Sequence, residues 1–213
     1  MHGGDPSRWR RSPSGLAQKC TVPMRGKKTV NKLLLILIVI GLPVAAIGGY
    51  RWYRQRHRLT WTQVNAMIHD NFPQVPQLSV QVLHASLVDP HKPKPLLLDV
   101  RSRIEYEVSH LRHARWVNAK ESVAQAMAGV PHDRPIVACC SVGYRSSAYC
   151  ARLMRDGFTD VNDLKGSIFQ WANAGFPVYR NDRIAHHVHP YNHHWGQLLK
   201  RSLWAFHPPP TQH

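Results

Sequence analysis

Residues 135–146 read Pro-Ile-Val-Ala-Cys-Cys-Ser-Val-Gly-Tyr-Arg-Ser, an apolar run that ends at two cysteines and a short loop. A helical pattern continues from Ser147 to Arg155. This order predicts a buried strand, a tight loop containing one glycine, and the start of a helix. Backbone N–H groups converge in such a loop, and the helix N-terminus adds positive potential. The sequence therefore predicts a cradle for an anion.

Cys140 is the candidate nucleophile of this loop. It stands where the apolar run stops, whereas Cys139 continues the strand and is predicted to be a buried structural thiol. Convergent N–H groups stabilise a thiolate, so they favour ionisation of Cys140. Arg145 is expected to add a full positive charge. The residues expected to bind the transferred group are Ser141, Val142, Gly143, Tyr144 and Ser146, the last also as a helix cap.

The other cysteines are poor partners for Cys140. Cys150 lies nearly three helical turns further on, and the side chain of Cys139 points to the opposite face of the strand. A disulfide between Cys139 and Cys140 would be strained. The four cysteines of the chain form no disulfide framework.

Motifs on both sides of the loop resemble the rhodanese-like (sulfurtransferase) family over about residues 75–180. Ser109 and His113 depart from the family pattern, which usually has glycine there. The upstream matches are Leu96-Leu97-Leu98-Asp99-Val100-Arg101, Glu105-Tyr106, His110-Leu111 and Ala114. The downstream matches are Leu164-Lys165-Gly166-Ser167, Trp171 and Ala174-Gly175-Phe176-Pro177-Val178.

The resemblance implies sulfur transfer through a persulfide. Cys140 and Arg145 would be the catalytic residues, a donor such as thiosulfate would supply the sulfur, and a thiol or cyanide would accept it. No cofactor or metal is implied. Four residues separate Cys140 from Arg145, whereas related phosphatases and arsenate reductases place five there. The smaller ring suits a single sulfur atom. The alternatives are a non-catalytic protein-binding module and such a phosphatase or reductase.

Further polar and aromatic residues carry weaker predictions. Asp99 ends an apolar run near the carboxyl edge of the sheet, and we expect it to shape the backbone rather than to react. Arg101 and Arg103 have two possible roles: they could steer anions toward the site, or they could be ordinary solvated side chains. Trp171 is predicted to lie in the core.

Strands that alternate with helices predict an α/β fold, in which helices cover both faces of a central parallel sheet. A further helix is predicted over Thr60–Asn71, and another begins after Ser79. The predicted strands are residues 96–100, 115–118, 135–139 and 159–162. The predicted helices that follow them are residues 103–109, 119–128, 146–156 and 167–174.

Leu33 to Tyr50 is an uncharged run of eighteen residues with basic flanks. Its length and flanks predict one N-terminal transmembrane helix, hence a single-pass protein of the bacterial inner membrane; a cleaved signal peptide is the alternative. The sequence does not decide which side of the membrane the domain faces. The reactive thiol favours the cytoplasm, because that compartment is reducing. Residues 1–58 hold twelve basic residues and one acid. Most of the net positive charge of the chain therefore belongs to its N-terminal segment, and it does not indicate a nucleic-acid partner for the folded domain.

The predicted organisation has five parts. Met24 is a candidate translation start, in which case residues 1–23 would be an N-terminal extension. The tail holds seven of the fifteen histidines, which are solvated by default, with metal binding as the alternative. It also predicts an amphipathic helix from Trp195 to Phe206, which is expected to pack on its own domain, with a protein partner or the membrane surface as the alternatives. The parts are a basic, disordered segment 1–32, the transmembrane helix 33–50, a juxtamembrane linker 51–74, the rhodanese-like domain 75–180 and the tail 181–213.

Overall fold

The structure, a computed structural model, describes residues 31–56 and 58–208. Within this range, the side chains of residues 33, 34, 37 and 54–56 lie outside the description. Almost all of the predicted basic segment, and the last five residues of the tail, also lie outside it. The chain divides into two compact units, Met1–Trp52 and Tyr53–His213.

The described part of the first unit is a helix. Helix α1 (Lys32–Arg56) has 25 residues and contains Pro43. Its described apolar side chains are exposed, as at Val39 and Leu42. Taken over the described residues only, no helix is long and apolar enough to cross a membrane. The predicted span Leu33–Tyr50 lies within α1, and three of its leucine side chains lie outside the description.

The second unit alternates strands and helices. Its helices are α2 (Trp61–Asn71), α3 (Val80–Val88), α4 (Arg103–Val108), α5 (Val123–Ala126), α6 (Tyr144–Arg155) and α7 (Ser167–Asn173). Its strands are β1 (Gln77–Leu78), β2 (Leu96–Asp99), β3 (Arg115–Trp116), β4 (Ile136–Cys139), β5 (Val161–Leu164), β6 (Val178–Arg180) and β7 (Arg183–Ala185).

The central sheet is parallel, which confirms the predicted fold class. Its strand order is β1-β5-β4-β2-β3, and every neighbouring pair is parallel. Side chains alternate between its faces: Val137 packs with α2, α3 and α7, whereas Ile136 packs with α5 and α6. The strand predicted at residues 159–162 begins later, at Val161.

Local signals placed the starts of α2 and α3 correctly and the start of α5 wrongly. Thr60 and Ser79 are the N-caps of α2 and α3. The helix predicted over 119–128 is only the four residues of α5, because its approach is a turn. In that turn, the Asn118 side chain accepts from the Lys120 N–H, and Ser122 then caps the helix.

The predicted amphipathic helix of the tail is wrong. Trp195–Leu198 and Arg201–Leu203 are two short 3₁₀ turns. The Asn173 side chain explains the break, because it donates to the Leu198 carbonyl at 2.7 Å and accepts from the Lys200 N–H at 2.9 Å. These bonds engage groups that a continuous helix would pair internally.

The folded unit extends on both sides of the predicted domain 75–180. Val64 and Ile68, which fall in the predicted linker, are buried in the same core cluster as Leu97. Val188 and Leu198 of the tail belong to that cluster too. The flanking segments are therefore part of the core.

Candidate active site

The loop after β4 directs a backbone N–H at the candidate nucleophile. The N–H of Gly143 donates to Sγ of Cys140 at 3.2 Å. Gly143 is the N-cap of α6 and has a φ of 114°. A Cβ at this position would lie 3.0 Å from Cδ1 of Ile68 and 3.2 Å from Oδ2 of Asp163. Both the backbone conformation and the close packing therefore require glycine.

The first turn of α7 braces the same loop. Oγ of Ser167 accepts a 2.5 Å hydrogen bond from the Cys140 N–H. The N–H groups of Ile168 and Phe169 donate to the carbonyls of Cys140 and Ser141. The main chain around Cys140 is thus fixed by a neighbouring helix as well as by its own turn.

Arg145 forms an ion pair that the sequence reasoning did not predict. Its two terminal nitrogens donate to the carboxylate of Glu105 at 2.9 and 2.7 Å. Ser141 joins the network, because its hydroxyl donates to Glu105 at 3.0 Å and accepts from Arg145 at 2.9 Å. Glu105 is buried and also accepts from Ser102.

Arg145 carries the expected positive charge, but the carboxylate of Glu105 is paired with it. Burial raises the pKa of Glu105, but the hydrogen bonds and charge of Arg145, with the Ser102 hydrogen bond, lower it to about 2. Burial likewise opposes the charge of Arg145, and the Glu105 hydrogen bonds raise its pKa. Two opposite charges face each other, so the pair offers little net charge to a ligand.

Ser146 does not cap α6. The helix begins at Tyr144, and the buried hydroxyl of Ser146 donates to the Gly143 carbonyl at 3.2 Å. Below it lies Asp163, which accepts from Ser147 at 2.9 Å. Burial raises the pKa of Asp163 to about 7, against hydrogen bonds from the two serines. Ser146 therefore stabilises the loop through its hydrogen bond to the Gly143 carbonyl.

A cavity of about 200 Å³ opens beside Cys140. Tyr191, from the tail, packs its ring 4.8 Å from the guanidinium of Arg145. Of the predicted loop residues, Gly143 and Ser146 do not line this cavity. Its lining residues are Met67, Cys140, Ser141, Val142, Tyr144, Arg145, Tyr191 and Trp195.

Of the remaining predicted residues, Asp99, Arg101 and Trp171 are structural, whereas Arg103 lies at the surface. Asp99 accepts from the backbone and guanidinium of Arg101, and this pair is completely buried, so Arg101 is neither solvated nor available to steer anions. Arg103 is exposed and pairs with Glu107. Trp171 is buried in the core, as predicted.

Cys139 and Cys150 are buried free thiols whose pKa burial raises. Within residues 31–56 and 58–208, no group of His, Cys, Asp or Glu could hold a metal.

The two departures from the family pattern fit their positions in different ways. Ser109 has an extended backbone, and its hydroxyl donates to the His187 carbonyl at 2.6 Å. His113 has a φ of 59°, in the left-handed region that favours glycine. Serine therefore gains a contact with the tail, whereas histidine adopts the conformation that glycine would supply.

Fold and loop together define a rhodanese-like domain, and comparison with known proteins agrees. The family model for the rhodanese-like domain matches residues 83–174. A sulfurtransferase of Allochromatium vinosum is 34% identical over 83 residues, which cover 39% of this chain and 77% of that protein. The chain belongs to the rhodanese-like family.

Other similar proteins are larger or more distant. A probable adenylyltransferase/sulfurtransferase of Mycobacterium tuberculosis is 32% identical over 85 residues, 39% of this chain. The chain spans only 22% of the length of that relative. The solution structure of a rhodanese-like domain from Anabaena sp. has 28% identity and a TM-score of 0.46, covering 49% of this chain and 79% of that one.

Proposed function

We propose that the protein is a rhodanese-type sulfurtransferase that carries sulfur as a persulfide on Cys140. The observation that carries this proposal is the Gly143 N–H directed at Sγ of Cys140 at 3.2 Å, beside an open cavity. A persulfide anion on this thiol would meet the same N–H without rearrangement of the loop. Relatives that are named sulfurtransferases support the reaction class.

The proposed cycle has two displacements. The Cys140 thiolate attacks the outer sulfur of a donor such as thiosulfate, an S–S bond forms, and sulfite leaves with the electron pair of the broken bond. Cyanide or a thiolate then attacks the outer sulfur of the persulfide and restores the Cys140 thiolate. Arg145 lines the cavity and, through Glu105 and Ser141, holds the loop in place.

The test is the intact mass of the protein after exposure to donor. Wild-type protein should gain one sulfur atom, and cyanide should remove it. Cys140→Ser should gain none, because the nucleophile is absent. Cys139→Ser and Cys150→Ser should still gain it, because neither thiol lines the cavity beside Cys140. Sulfur on the Cys140→Ser protein would contradict the assignment.

One observation favours the alternative, a non-catalytic rhodanese-like binding module held at the membrane. Cys140 is only 1% exposed, although it lines the cavity. If a donor cannot reach the thiol, the wild-type protein will gain no sulfur from any small donor. The mass measurement therefore separates the two functions.

We also propose that Leu33–Tyr50 anchors the protein in the bacterial inner membrane by a single pass. An uncharged run of eighteen residues lies within the helix α1, and its described apolar side chains, such as Ile40 and Val44, are exposed. The protein should stay with membranes under alkaline extraction. The double variant Ile40→Lys, Val44→Lys should be released, and release of the wild-type protein would contradict the anchor.

A further inference from the structure

The cavity beside Cys140 has walls from outside the family-matched residues 83–174. Helix α2 supplies Met67, and the tail supplies Tyr191 and Trp195. These are a thioether, a phenol and an indole, and they add apolar surface to that of Val142 and Tyr144 in the loop. The flanking segments therefore turn a small loop site into a cavity with aromatic walls.

The tail wall is held by Val188, which is buried in the core cluster, and by hydrogen bonds within the tail. Val188 is fully buried, and its N–H donates to the Leu203 carbonyl at 2.7 Å. The N–H of Tyr191 donates to Nδ1 of His189 at 3.0 Å, and that of Trp195 donates to the Asn192 side chain at 3.0 Å. Because the aromatic rings are already positioned, a ligand that uses them does not have to order the segment.

The charge of the site favours ligands with little charge of their own. Among the residues that line the cavity, Arg145 is the cation, and its two hydrogen bonds to Glu105 pair it with a carboxylate. A dianion such as thiosulfate would lose water here without gaining an unpaired counter-charge. An apolar substituent would instead gain free energy by leaving water.

We infer that the site selects small organic sulfane-sulfur donors with an apolar or aromatic substituent over inorganic dianions, and that Tyr191 and Trp195 determine this specificity. The size fits, since a cavity of roughly 150 Å³ can hold a benzene ring, and this one has about 200 Å³. The inference rests on the proposed persulfide chemistry.

Benzenethiosulfonate is the probe for this class. The Cys140 thiolate attacks its outer sulfur, the S–S bond forms, and the sulfur–sulfur bond of the donor breaks. Benzenesulfinate leaves with the electron pair, and the persulfide anion stays on Cys140. Two negative charges are present before and after the step, and no oxidant or reductant is needed.

The experiment compares kcat/KM for benzenethiosulfonate and for thiosulfate in the full chain, with cyanide as acceptor and thiocyanate as the measured product. Wild-type protein should favour benzenethiosulfonate by about tenfold or more, which corresponds to ~1.4 kcal/mol. Tyr191→Ser and the double variant Tyr191→Ser, Trp195→Ala should each lower this ratio severalfold. Differences in donor reactivity cancel when the ratio of each variant is compared with that of the wild type, so this comparison tests the two aromatic residues.

Ile184→Ala is the matched control, because Ile184 is exposed on β7 and does not line the cavity. Its ratio should equal that of the wild type. Equal or better use of thiosulfate by the wild type would overturn the inference while leaving the persulfide proposal standing. A ratio that is unchanged in both tail variants would overturn the role of the two aromatic residues. Failure of both donors to give thiocyanate would overturn the proposed function itself.

Discussion

At the scale of single residues, Glu105 organises the catalytic loop. It receives hydrogen bonds from Ser102, at the start of α4, from Ser141, in the loop that leads into α6, and from Arg145, in the first turn of α6. Its carboxylate fixes the arginine that would otherwise face the cavity as a free cation. The contacts of Arg145 therefore stabilise the loop, and they leave it little unpaired charge with which to bind an anion.

Glu105→Gln should lower the free energy of unfolding at pH 7 by about 2–4 kcal/mol, near the cost of breaking a buried ion pair, discounted because the Arg145 side chain is 34% exposed. The folded-state pKa of Glu105 is lowered from 4.5 to about 2. Its stabilisation is therefore present above pH 4.5 and is lost as the pH falls toward 2. Urea unfolding across this range should show that loss in the wild type and less of it in the variant.

Glu107→Gln is the matched control for that experiment. Glu107 pairs with Arg103, but both side chains are exposed, so the change should cost less than about 1 kcal/mol. If the two variants unfold at the same urea concentration at pH 7, the Glu105 pair does not stabilise the loop.

Gly143→Ala should damage both the fold and the site. The residue has a φ of 114°, and a Cβ would press on Ile68 and Asp163, so we expect a loss of about 1–3 kcal/mol. A shift of the loop would also move the N–H away from Cys140, so sulfur uptake should fall further than stability alone explains. Gly129 also has a positive φ, of 76°, but an open Cβ position, so Gly129→Ala should leave sulfur uptake unchanged.

At the scale of elements, the sequence predicted those whose pattern is local. The apolar runs gave β2 and β4, and side-chain caps gave the starts of α2 and α3. Glu105 was not predicted to act on the site, because it bonds to Arg145 across 40 positions of sequence. A partial signal exists, since Ser102 and Glu105 form a capping box that places the carboxylate at the start of α4.

Other elements depended on contacts that a local pattern does not carry. The two-residue strand β1 exists through its pairing with β5, and β6–β7 turns at Asn181 and Asp182, both with positive φ. The tail has helical spacing, but bonds to Asn173 divide it into two turns.

Ile68→Ala should show that α2 belongs to the domain. Ile68 is 3% exposed and packs against the loop glycine, so its truncation should cost about 2–4 kcal/mol and reduce sulfur uptake. Ile104→Ala is the control on α4, where the side chain is 43% exposed and the cost should be less than about 1 kcal/mol. Similar melting temperatures for the two variants would place α2 outside the cooperative unit.

At the scale of the whole chain, the family-matched residues 83–174 are not the complete folded unit. Before them, α2 and the first turn of α3 supply Val64 and Val80 to the core. After them, the tail adds Val188 and Leu198 to that cluster and Tyr191 to the cavity. The segments on either side of residues 83–174 thus complete both the core and the cavity. A change in these segments is therefore expected to alter both the stability of the fold and the choice of donor.

A chain that ends after Arg180 tests this coupling. It loses the buried Val188, Leu198 and Leu199, together with the bonds between Asn173 and the tail. Each of these buried side chains contributes roughly 1.5–3 kcal/mol, so the melting temperature should fall by many degrees or the chain should fail to fold. A chain that ends after Pro208 keeps every described contact and should melt like the full chain. If both shortened chains melt alike, the tail only covers the cavity; if the shorter one is destabilised, the segment that supplies Tyr191 and Trp195 is also part of the cooperative core.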